Sequence, residues 1–398
     1  MAAPTYPYAF SSSQTQVGLA LEVTRGKYVT PTLWIPTKSP LYKPDQTMLP
    51  DETLQGSMVK LYNLTRGLRY DTHKWTSYPY LTSFPAIVRA QLGSTDHLTA
   101  ASAATTLSTA VAAGVTAIKV AAAIPAGQIV VIGKTTPTVE THLVKTAATL
   151  TKTLTLDTPT IYAHAAAATV TPLTVHKFSL LNSANYGNQP PSYSLTDSDG
   201  ERIRNLTAAQ QNKLTMKGNP TALVTYDVTW LTNAAVTHTG TPTFTWTRQA
   251  PPPSWTSVVL ITTTIVTRYQ DWTIDLSRTT KPIPGLTGKS SYLLFFADAL
   301  TAKGKLTVLE SSGSPQLTAY ENGTVMKFDT LFFDYETGNY FQFHSTKAMF
   351  KATGGINRSK PEVTVTLTIT FLPTATDATT GGVSPCTITI GNAITTSF

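Results

Sequence analysis

The residues able to bind a metal ion or transfer a proton are scattered along this chain. The seven histidines stand apart from one another, at positions 73, 97, 142, 164, 176, 238 and 344. No two of them have the spacing of a helical metal pair or of a zinc finger. Cys386 is the one cysteine, which excludes an internal disulfide and a cysteine-based zinc site. We therefore predict no metal site, unless the fold brings distant histidines together.

Two short motifs resemble sites for phosphate and for a cation. The segment 285–290, GLTGKS, echoes a phosphate-binding loop, but Ile283 stands where that loop needs its first glycine. The segment 197–201, DSDGE, is rich in carboxylates, but it lacks the distal glutamate of a calcium loop. Its Asp-Gly pair is typical of a hairpin turn. We predict a turn at this segment and no nucleotide binding at the other.

Signatures of catalysis are also missing. No nucleophile motif of the form G-x-S-x-G occurs, and nothing selects a catalytic pair among the 22 dispersed acidic residues. We predict that the protein is not an enzyme and has no catalytic, cofactor-binding or metal-binding residues. A hydrolase stays open as an alternative, because a carboxylate pair is defined by its spacing in the fold.

The composition is typical of an all-β protein. Hydrophobic residues make up 41% of the 398 residues, enough for sizeable cores, while charged residues make up only 13% against an average of about 25%. Thr is abundant and long helical patterns are absent. A surface so poor in charge keeps a monomer soluble only weakly, which favours burial in an assembly.

Charge and terminal sequence limit the partners. The net charge is +8 and the sequence pI about 9.3, but Lys and Arg are scattered singly, without a basic run or interleaved aromatics, so we expect no specific nucleic-acid site. The N-terminal residues have neither a positive region nor an apolar core, so they predict no signal peptide. No apolar stretch is long enough to span a membrane. We expect synthesis and assembly in the cytosol.

One pattern of strands occurs twice, in residues 213–231 and 348–372. Each copy predicts a strand, a Gly/Asn turn and a longer strand in which apolar and polar residues alternate. Each is preceded by a candidate two-turn helix with Ser, Pro and Gly at its ends, over 83–93 and 314–323. The shared order predicts two tandem copies of one unit.

Between the first helix and the first copy of the pattern, the composition changes. Residues 94–172 are rich in Ala and Thr and contain a single aromatic residue, Tyr162. We predict a turn at 125–127 and short strands over 117–120, 129–132, 141–145, 154–156 and 169–170. This segment predicts a small β module inserted in the first unit.

The whole chain is then divided as follows: an N-terminal arm (1–16), a first unit (17–93 and 173–240), the inserted module (94–172), a Pro-rich linker (241–253) and a second unit (254–398). Further elements are expected within the units: a strand over 17–23, a long loop over 38–51, a strand pair over 58–75, a brief helix over 206–212, strands over 255–267, 272–276 and 303–310, a loop ending at 291, a buried apolar segment over 292–300, a polar loop over 374–382 and a final strand over 387–390.

Several segments give the chain a family resemblance. They are GLALEVTRG at 18–26 followed by WIP at 34–36, LQGSM at 54–58, residues 206–231, WTIDLSRTTKPI at 272–283 and GKLTV at 304–308. In these the sequence resembles the major tail tube proteins of long-tailed, non-contractile bacteriophages, particularly those of actinobacterial hosts. The inserted module, with PAGQ at 125–128, TLTL at 153–156 and YAHA at 162–165, resembles small β modules that decorate virion proteins.

The resemblance implies a fold and a function. The fold is all-β, with two tandem tail-tube-type β-sandwich units, each with a short helix, plus the small inserted module. Such subunits form rings that close a β-barrel around a lumen, and the rings stack into a virion tail tube through which genomic DNA passes non-specifically. The partners implied are further copies of the chain and the tail tip, tape measure and tail terminator proteins, without a membrane.

The resemblance also carries expectations about assembly. The duplication favours a trimeric, pseudo-sixfold ring, with a hexameric ring as the alternative. We expect acidic side chains in the lumen, the positive excess outside or between rings, and the inserted module projecting outward. The N-terminal arm and residues 38–51 are candidates for ring-to-ring contacts. A virion decoration protein or a carbohydrate-binding adhesin is the alternative function, with the inserted module as its binding part.

Overall fold

Strands dominate the fold, which confirms the all-β prediction: they account for 56% of the chain and helix for 4%. The structure, a computed structural model, describes residues 15–53, 61–182, 189–200, 202–238, 246, 248–285, 292, 294–309, 318, 320–357, 363–379 and 381–398. Most of the predicted arm, much of the linker, and the GKS part of the phosphate-loop echo lie outside these residues.

The chain begins with four strands and a helix: β1 (Gln16–Leu21), β2 (Leu33–Ile35), β3 (Leu41–Asp51), β4 (Asn63–Ser77) and α1 (Phe84–Leu92). The helix is where it was predicted. Pro85 lies in its first turn, and Gly93 ends it with φ 85° and an N–H that donates to the Arg89 carbonyl at 2.7 Å. Nearly all of α1 is buried, so it packs as part of the core.

The prediction of a long loop over 38–51 is wrong, because most of it is strand β3. Pro44 and Pro50 lie opposite Asp71 and Leu64 of β4, and β4 is the one partner strand of β3 in the part of the chain that the structure describes. An edge strand accepts proline because its outward N–H positions need no partner in the sheet. The hairpin therefore pairs β3 with β4, and not two strands within 58–75.

The inserted segment contains two short strands that were not predicted, β5 (His97–Thr99) and β6 (Thr105–Thr106), followed by predicted ones, β7 (Ala117–Lys119), β8 (Ile129–Ile132), β9 (Glu140–Ala148) and β10 (Thr153–Leu156). Gly127, with φ 84°, makes the predicted turn. Apolar side chains from this segment alone, among them Ile118, Val144 and Leu154, form a core of their own. Strand β11 (Thr169–Ser179) then leads back into the first unit.

Four strands complete the first unit: β12 (Tyr193–Ser198), β13 (Ile203–Gly218), β14 (Thr225–Asn233) and β15 (Val236–His238). The predicted hairpin turn joins β12 to β13, where Asp199 N–H donates to the Arg202 carbonyl at 3.2 Å. The predicted helix over 206–212 is wrong, since these residues lie in β13. Pairing with β12 up to Ala209 and with β14 from Gln210 overrides helix propensity there, and Ala208, with φ 52°, lies at the irregularity of the β12–β13 pairing.

The second unit begins with a short 3-10 turn (Ser254–Thr256), and the remaining strands follow: β16 (Val258–Ile261), β17 (Thr264–Ile265), β18 (Tyr269–Ile283), β19 (Leu294–Leu309), β20 (Val325–Phe333), β21 (Tyr340–Asn357), β22 (Thr364–Phe371) and β23 (Thr387–Asn392). The single strand predicted over 255–267 is therefore wrong, because the 3-10 turn and the β16–β17 hairpin occupy that range. The final strand and the polar loop before it are as predicted.

Three further details of the second unit correct the sequence interpretation. Strand β18 runs from Tyr269 to Ile283, well beyond the strand predicted over 272–276. The segment 292–300 alternates instead of being buried throughout, so Phe295 is buried while Phe296 is 45% exposed. Strand β21 runs on to Asn357, past the predicted Gly-Gly turn. Of the second predicted helix, only Thr318 and residues 320–323 are described, and Thr318, Tyr320 and Glu321 are helical.

The two units have the same strand pairings in the same chain order. In the first unit these are β1–β2, β3–β4, β1–β12, β12–β13, β13–β14 and β4–β14. In the second unit they are β16–β17, β18–β19, β16–β20, β20–β21, β21–β22 and β19–β22. Shared pairing at this level supports the duplication more strongly than the sequence pattern does.

A further pairing, between β13 and β18, joins the units edge to edge. The result is one long sheet with the strand order β3, β4, β14, β13, β18, β19, β22, β21. The other strands of the units form a second layer over one face of it, and the main core lies between the layers. Apolar residues alternate into that core as predicted, for example Val228 and Trp230 on β14 and Leu367 and Ile369 on β22.

Candidate functional site

The fold brings together two histidines that are isolated in the sequence. His164 Nε2 lies 2.6 Å from Glu140 Oε1, and His142 Nε2 lies 3.3 Å from Glu140 Oε2. On its other side, His142 Nδ1 lies 3.6 Å from Asp157 Oδ1. Burial lowers the pKa of His142, but its contacts with Asp157 and Glu140 outweigh burial and raise that pKa to about 9. The cluster is buried, so it is a candidate structural ion pair and not an open site.

This cluster lies where the inserted module meets the second unit. Tyr340 of β21 donates a hydrogen bond from its hydroxyl to Asp157 Oδ2 at 2.9 Å, and Thr141 Oγ1 donates to the Gly338 carbonyl at 2.8 Å. Ile129 and Val131 of β8 pack against Leu260 and Leu331 of the second unit. We call this contact region the clasp. No sequence spacing predicts it, because its partners come from separate parts of the chain.

The other sequence candidates have structural partners. Asp197 of the DSDGE segment pairs with Arg204 at 3.1 Å across the hairpin. His176 pairs with Asp96, and His344 with Asp329, each at 2.7 Å. Cys386 is buried, and burial raises the pKa of its thiol, which makes it a poor nucleophile. Within the described ranges, no group of His, Cys, Asp and Glu side chains is arranged to hold a metal ion.

A cleft of about 730 Å³ lies beside the C-terminal end of α1 and is lined, among others, by Arg25, Arg89 and Gln189. Both arginines already donate hydrogen bonds to backbone carbonyls. Arg25 donates to Pro190 and Phe295, and Arg89 donates to the C-terminal Phe398. These donors tie loops together, so the cleft shows no converging set of free polar groups for a ligand.

The feature that distinguishes this molecule is the uncovered face of the long sheet. Opposite the core, threonines alternate with lysines and aspartates along neighbouring strands. We call this surface the polar face; in sheet order it consists of Leu41, Lys43, Asp45, Tyr70, Thr72, Lys74, Thr76, Thr225, Asp227, Thr229, Leu231, Lys213, Thr215, Lys217, Asp271, Thr273, Asp275, Ser277, Thr301, Lys303, Lys305, Thr307, Thr366, Thr368, Thr370, Met349 and Lys351.

Ion pairs on the polar face use its aspartates. Lys213 Nζ lies 3.1 Å from Asp275, and Lys217 Nζ lies 2.5 Å from Asp227. Burial raises the pKa of Asp227, but the hydrogen bonds from Lys217 and Thr76 outweigh it and hold that pKa below its ordinary value. Lys43 pairs with Asp45. The remaining lysines of the face have no carboxylate within 4.0 Å among the described residues; they are Lys74, Lys303, Lys305 and Lys351.

The two ends of the long sheet are open strand edges. At one end, β3 pairs with β4 on one side and with no other strand of the described structure. On the other end, residues 350–357 of β21 are paired through β22, and no described strand lies on their other side. Leu41 is 56% exposed at the β3 edge. Open edges with exposed apolar side chains are templates for pairing with another chain.

The comparisons with known proteins add no family. No protein-family model matches this chain, and no curated protein matches it. In the described part of the molecule, no helix is long and apolar enough to cross a membrane.

Proposed function

We propose that this chain is a structural virion subunit that polymerises into stacked rings, forming the tail tube of a long-tailed phage. One observation carries the proposal. The duplicated unit forms a long sheet, and its two edge strands, β3 and β21, are the counterparts of β18 and β13, the two strands that already pair at its centre. A contact made once inside the chain can therefore be repeated between chains. A head-to-tail contact of this kind that rotates and closes produces a ring.

The internal junction specifies the register of the contact between chains. Inside the chain, Lys213 lies opposite Ser277, and Thr215 lies opposite Asp275. The shared pairings make β21 the counterpart of β13 and β3 the counterpart of β18. Carried through these pairings, the junction places Lys351 of one copy opposite Leu41 of the next.

Closure of the ring would remove both open edges and shield the exposed Leu41. Each chain contributes two equivalent units, so a trimer gives a pseudo-sixfold ring, and a hexamer of such chains gives a wider one. We favour the trimer because the duplication is present in the strand pairings. In either ring the polar face lines the lumen, since the second layer covers the opposite face of the long sheet.

The position of the inserted module agrees with an outward projection. On β16, Val259 and Ile261 point into the main core between the layers, while Leu260 between them points the other way, towards the module. The module therefore lies on the outer side of the second layer, away from the polar face. It leaves the proposed lumen free.

The expected acidic lumen does not agree with this arrangement. If the polar face lines the lumen, the lining carries more lysines than aspartates, and several of the lysines are unpaired. The proposed ring therefore argues against the expectation that the positive excess lies outside or between rings. The tube proposal rests on the edges and the duplication, and does not depend on the sign of the lining charge.

Electron microscopy of the purified protein tests the proposal, with ring symmetry determined from end views or helical averaging. Tubes with three copies per ring are expected. Six copies per ring would keep the tube and contradict the preferred symmetry. Protein that stays monomeric, even with tail-tip factors added, would contradict the proposal and shift support to a decoration protein or an adhesin.

A further inference from the structure

We propose that the polar face binds the phosphate backbone of duplex DNA, non-specifically and through its unpaired lysines. This inference rests on the proposed function for its biological setting, but the surface is accessible in a single copy of the chain. It names duplex DNA as the partner of a face that, by the family resemblance, would be expected to be acidic.

The arrangement of Lys74 and Lys303 carries the inference. Lys74 on β4 lies opposite Thr229 of β14, and Lys303 on β19 lies opposite Thr370 of β22. These pairings are counterparts in the two units, so the two lysines occupy equivalent positions. A closed ring would repeat that position once per unit and present a belt of ammonium groups around the lumen.

Lys305 and Lys351 extend the positive surface in the second unit. They flank Thr368 from the two sides, on β19 and β21. They form a patch with Lys303, whose other cross-strand neighbour, Asp275, pairs with Lys213. None of the three lysines has a carboxylate within 4.0 Å among the described residues. Uncompensated lysines on one face attract a polyanion, and each lysine that reaches a phosphate releases condensed counterions.

The side chains between the lysines favour DNA phosphates over a protein partner. Threonine hydroxyls can donate hydrogen bonds to phosphate oxygens. The aromatic residue of the face, Tyr70, lies where the β4–β14 pairing ends, and its exposed apolar residues, Leu41 and Met349, lie near the two ends of the sheet, whereas protein interfaces need central apolar or aromatic anchors. The centre of the face has no Arg, Asn or Gln to read bases in pairs of hydrogen bonds. Binding should therefore ignore sequence.

The test measures binding of a labelled duplex of roughly 20 base pairs to the monomeric protein by fluorescence anisotropy, from about 50 mM salt upwards. The variants are K74Q/K303Q and K305Q/K351Q. The matched control is K27Q/K119Q, which removes the same charge from exposed lysines outside the polar face. Wild-type protein should bind, with an affinity that falls steeply as salt rises and does not depend on DNA sequence.

Each face variant should reduce the slope of log affinity against log salt by about 1.8, near 0.9 per lost phosphate contact. The control should keep the wild-type slope. Equal losses in face and control variants, or no binding by the wild type at the lowest salt, would overturn the inference. Tighter binding of a polyglutamate chain than of duplex DNA would also overturn it, in favour of an acidic protein.

Microscopy of the same samples separates this inference from the proposed function. If tubes form normally but the face variants bind DNA like the control, the DNA-binding inference is wrong and the tube proposal still stands. If the salt slopes of the face variants fall as expected but the protein never forms tubes, DNA binding by the polar face stands and the tube proposal is wrong.

Discussion

Lys213 of β13 and Asp275 of β18 form an ion pair at 3.1 Å across the strand pairing that joins the two units. Both side chains are partly exposed, so the pair itself stabilises the junction only weakly, by about 0–1 kcal/mol. The backbone ladder between the strands and the apolar side chains beneath it, including Leu214 and Leu276, supply most of the stability. A junction held in this way can be repeated by any second copy with the same strands.

The register proposed for the contact between chains can be tested with a cysteine pair. In the double variant L41C/K351C, oxidation should link neighbouring copies, because these residues are placed opposite each other in the ring. Denaturing gels should show a ladder that ends at the size of the closed ring. The matched control is T215C/D275C, whose residues are opposite each other inside one chain and should link without any change in size.

Single variants L41C and K351C are a second control and should give at most a simple dimer. A ladder of the same extent from a pair shifted by one residue, such as L41C/F350C, would contradict the register, because a shift of one residue turns the side chain to the other face of the sheet.

Gly218 should be intolerant of a side chain. It lies opposite Trp272 at the end of the junction between the units, and a Cβ there would come within 2.4 Å of the buried indole ring. We expect Gly218→Ala to lower the free energy of unfolding by about 1–3 kcal/mol, because the ring must move within a packed core. Urea denaturation measures this, with Thr273→Ala on the polar face as the control, expected to change stability by less than about 0.5 kcal/mol.

The clasp should give stability a defined dependence on pH. The pKa of His142 is raised from 6.5 to about 9 in the fold, so its contribution is fully present below pH 6.5 and is lost as pH rises through 9. The groups that face it are Glu140, Asp157 and, through Asp157, Tyr340. A shift of this size corresponds to a contribution on the order of 3 kcal/mol.

We therefore expect wild-type protein to lose stability between pH 6.5 and pH 9, while His142→Gln is less stable at pH 6.5 and changes less across the same range. Urea denaturation at several pH values measures both. His238→Gln, an exposed histidine of β15, is the control and should follow the wild type. Parallel curves for wild type and His142→Gln would show that the clasp histidine does not carry a proton at neutral pH.

Cys386 should be unreactive in the folded protein. Its side chain is fully buried and burial raises the pKa of its thiol, so both access and the thiolate population are suppressed. A thiol reagent at pH 8 should label the native protein very slowly and the urea-unfolded protein completely. Rapid labelling under native conditions would mean that the β23 region opens locally. The same measurement shows that Cys386 does not interfere with the engineered cysteine pairs.

Local patterns in the sequence determined the class of the fold and several of its elements. Alternation along β14 and β22, the Ser-Pro-Gly frame of α1 and the strands β7 to β10 were predicted correctly, because each depends on residues within one or two turns or on the period of a strand. The three-residue strand β5 and the two-residue strand β6 were missed. The duplication was also visible, since equivalent strands carry similar patterns.

Tertiary pairing decided the rest, because it depends on neighbours that are distant in the sequence. Strand β3 contains prolines that look like a loop until the strand lies at an edge, and residues 206–212 look helical until β12 and β14 pair with β13. The clasp joins Glu140, Asp157 and Tyr340 from separate segments, and no spacing records that contact. The polar face likewise exists only once the strands are placed side by side, which is why lysines scattered singly along the chain become a charged surface.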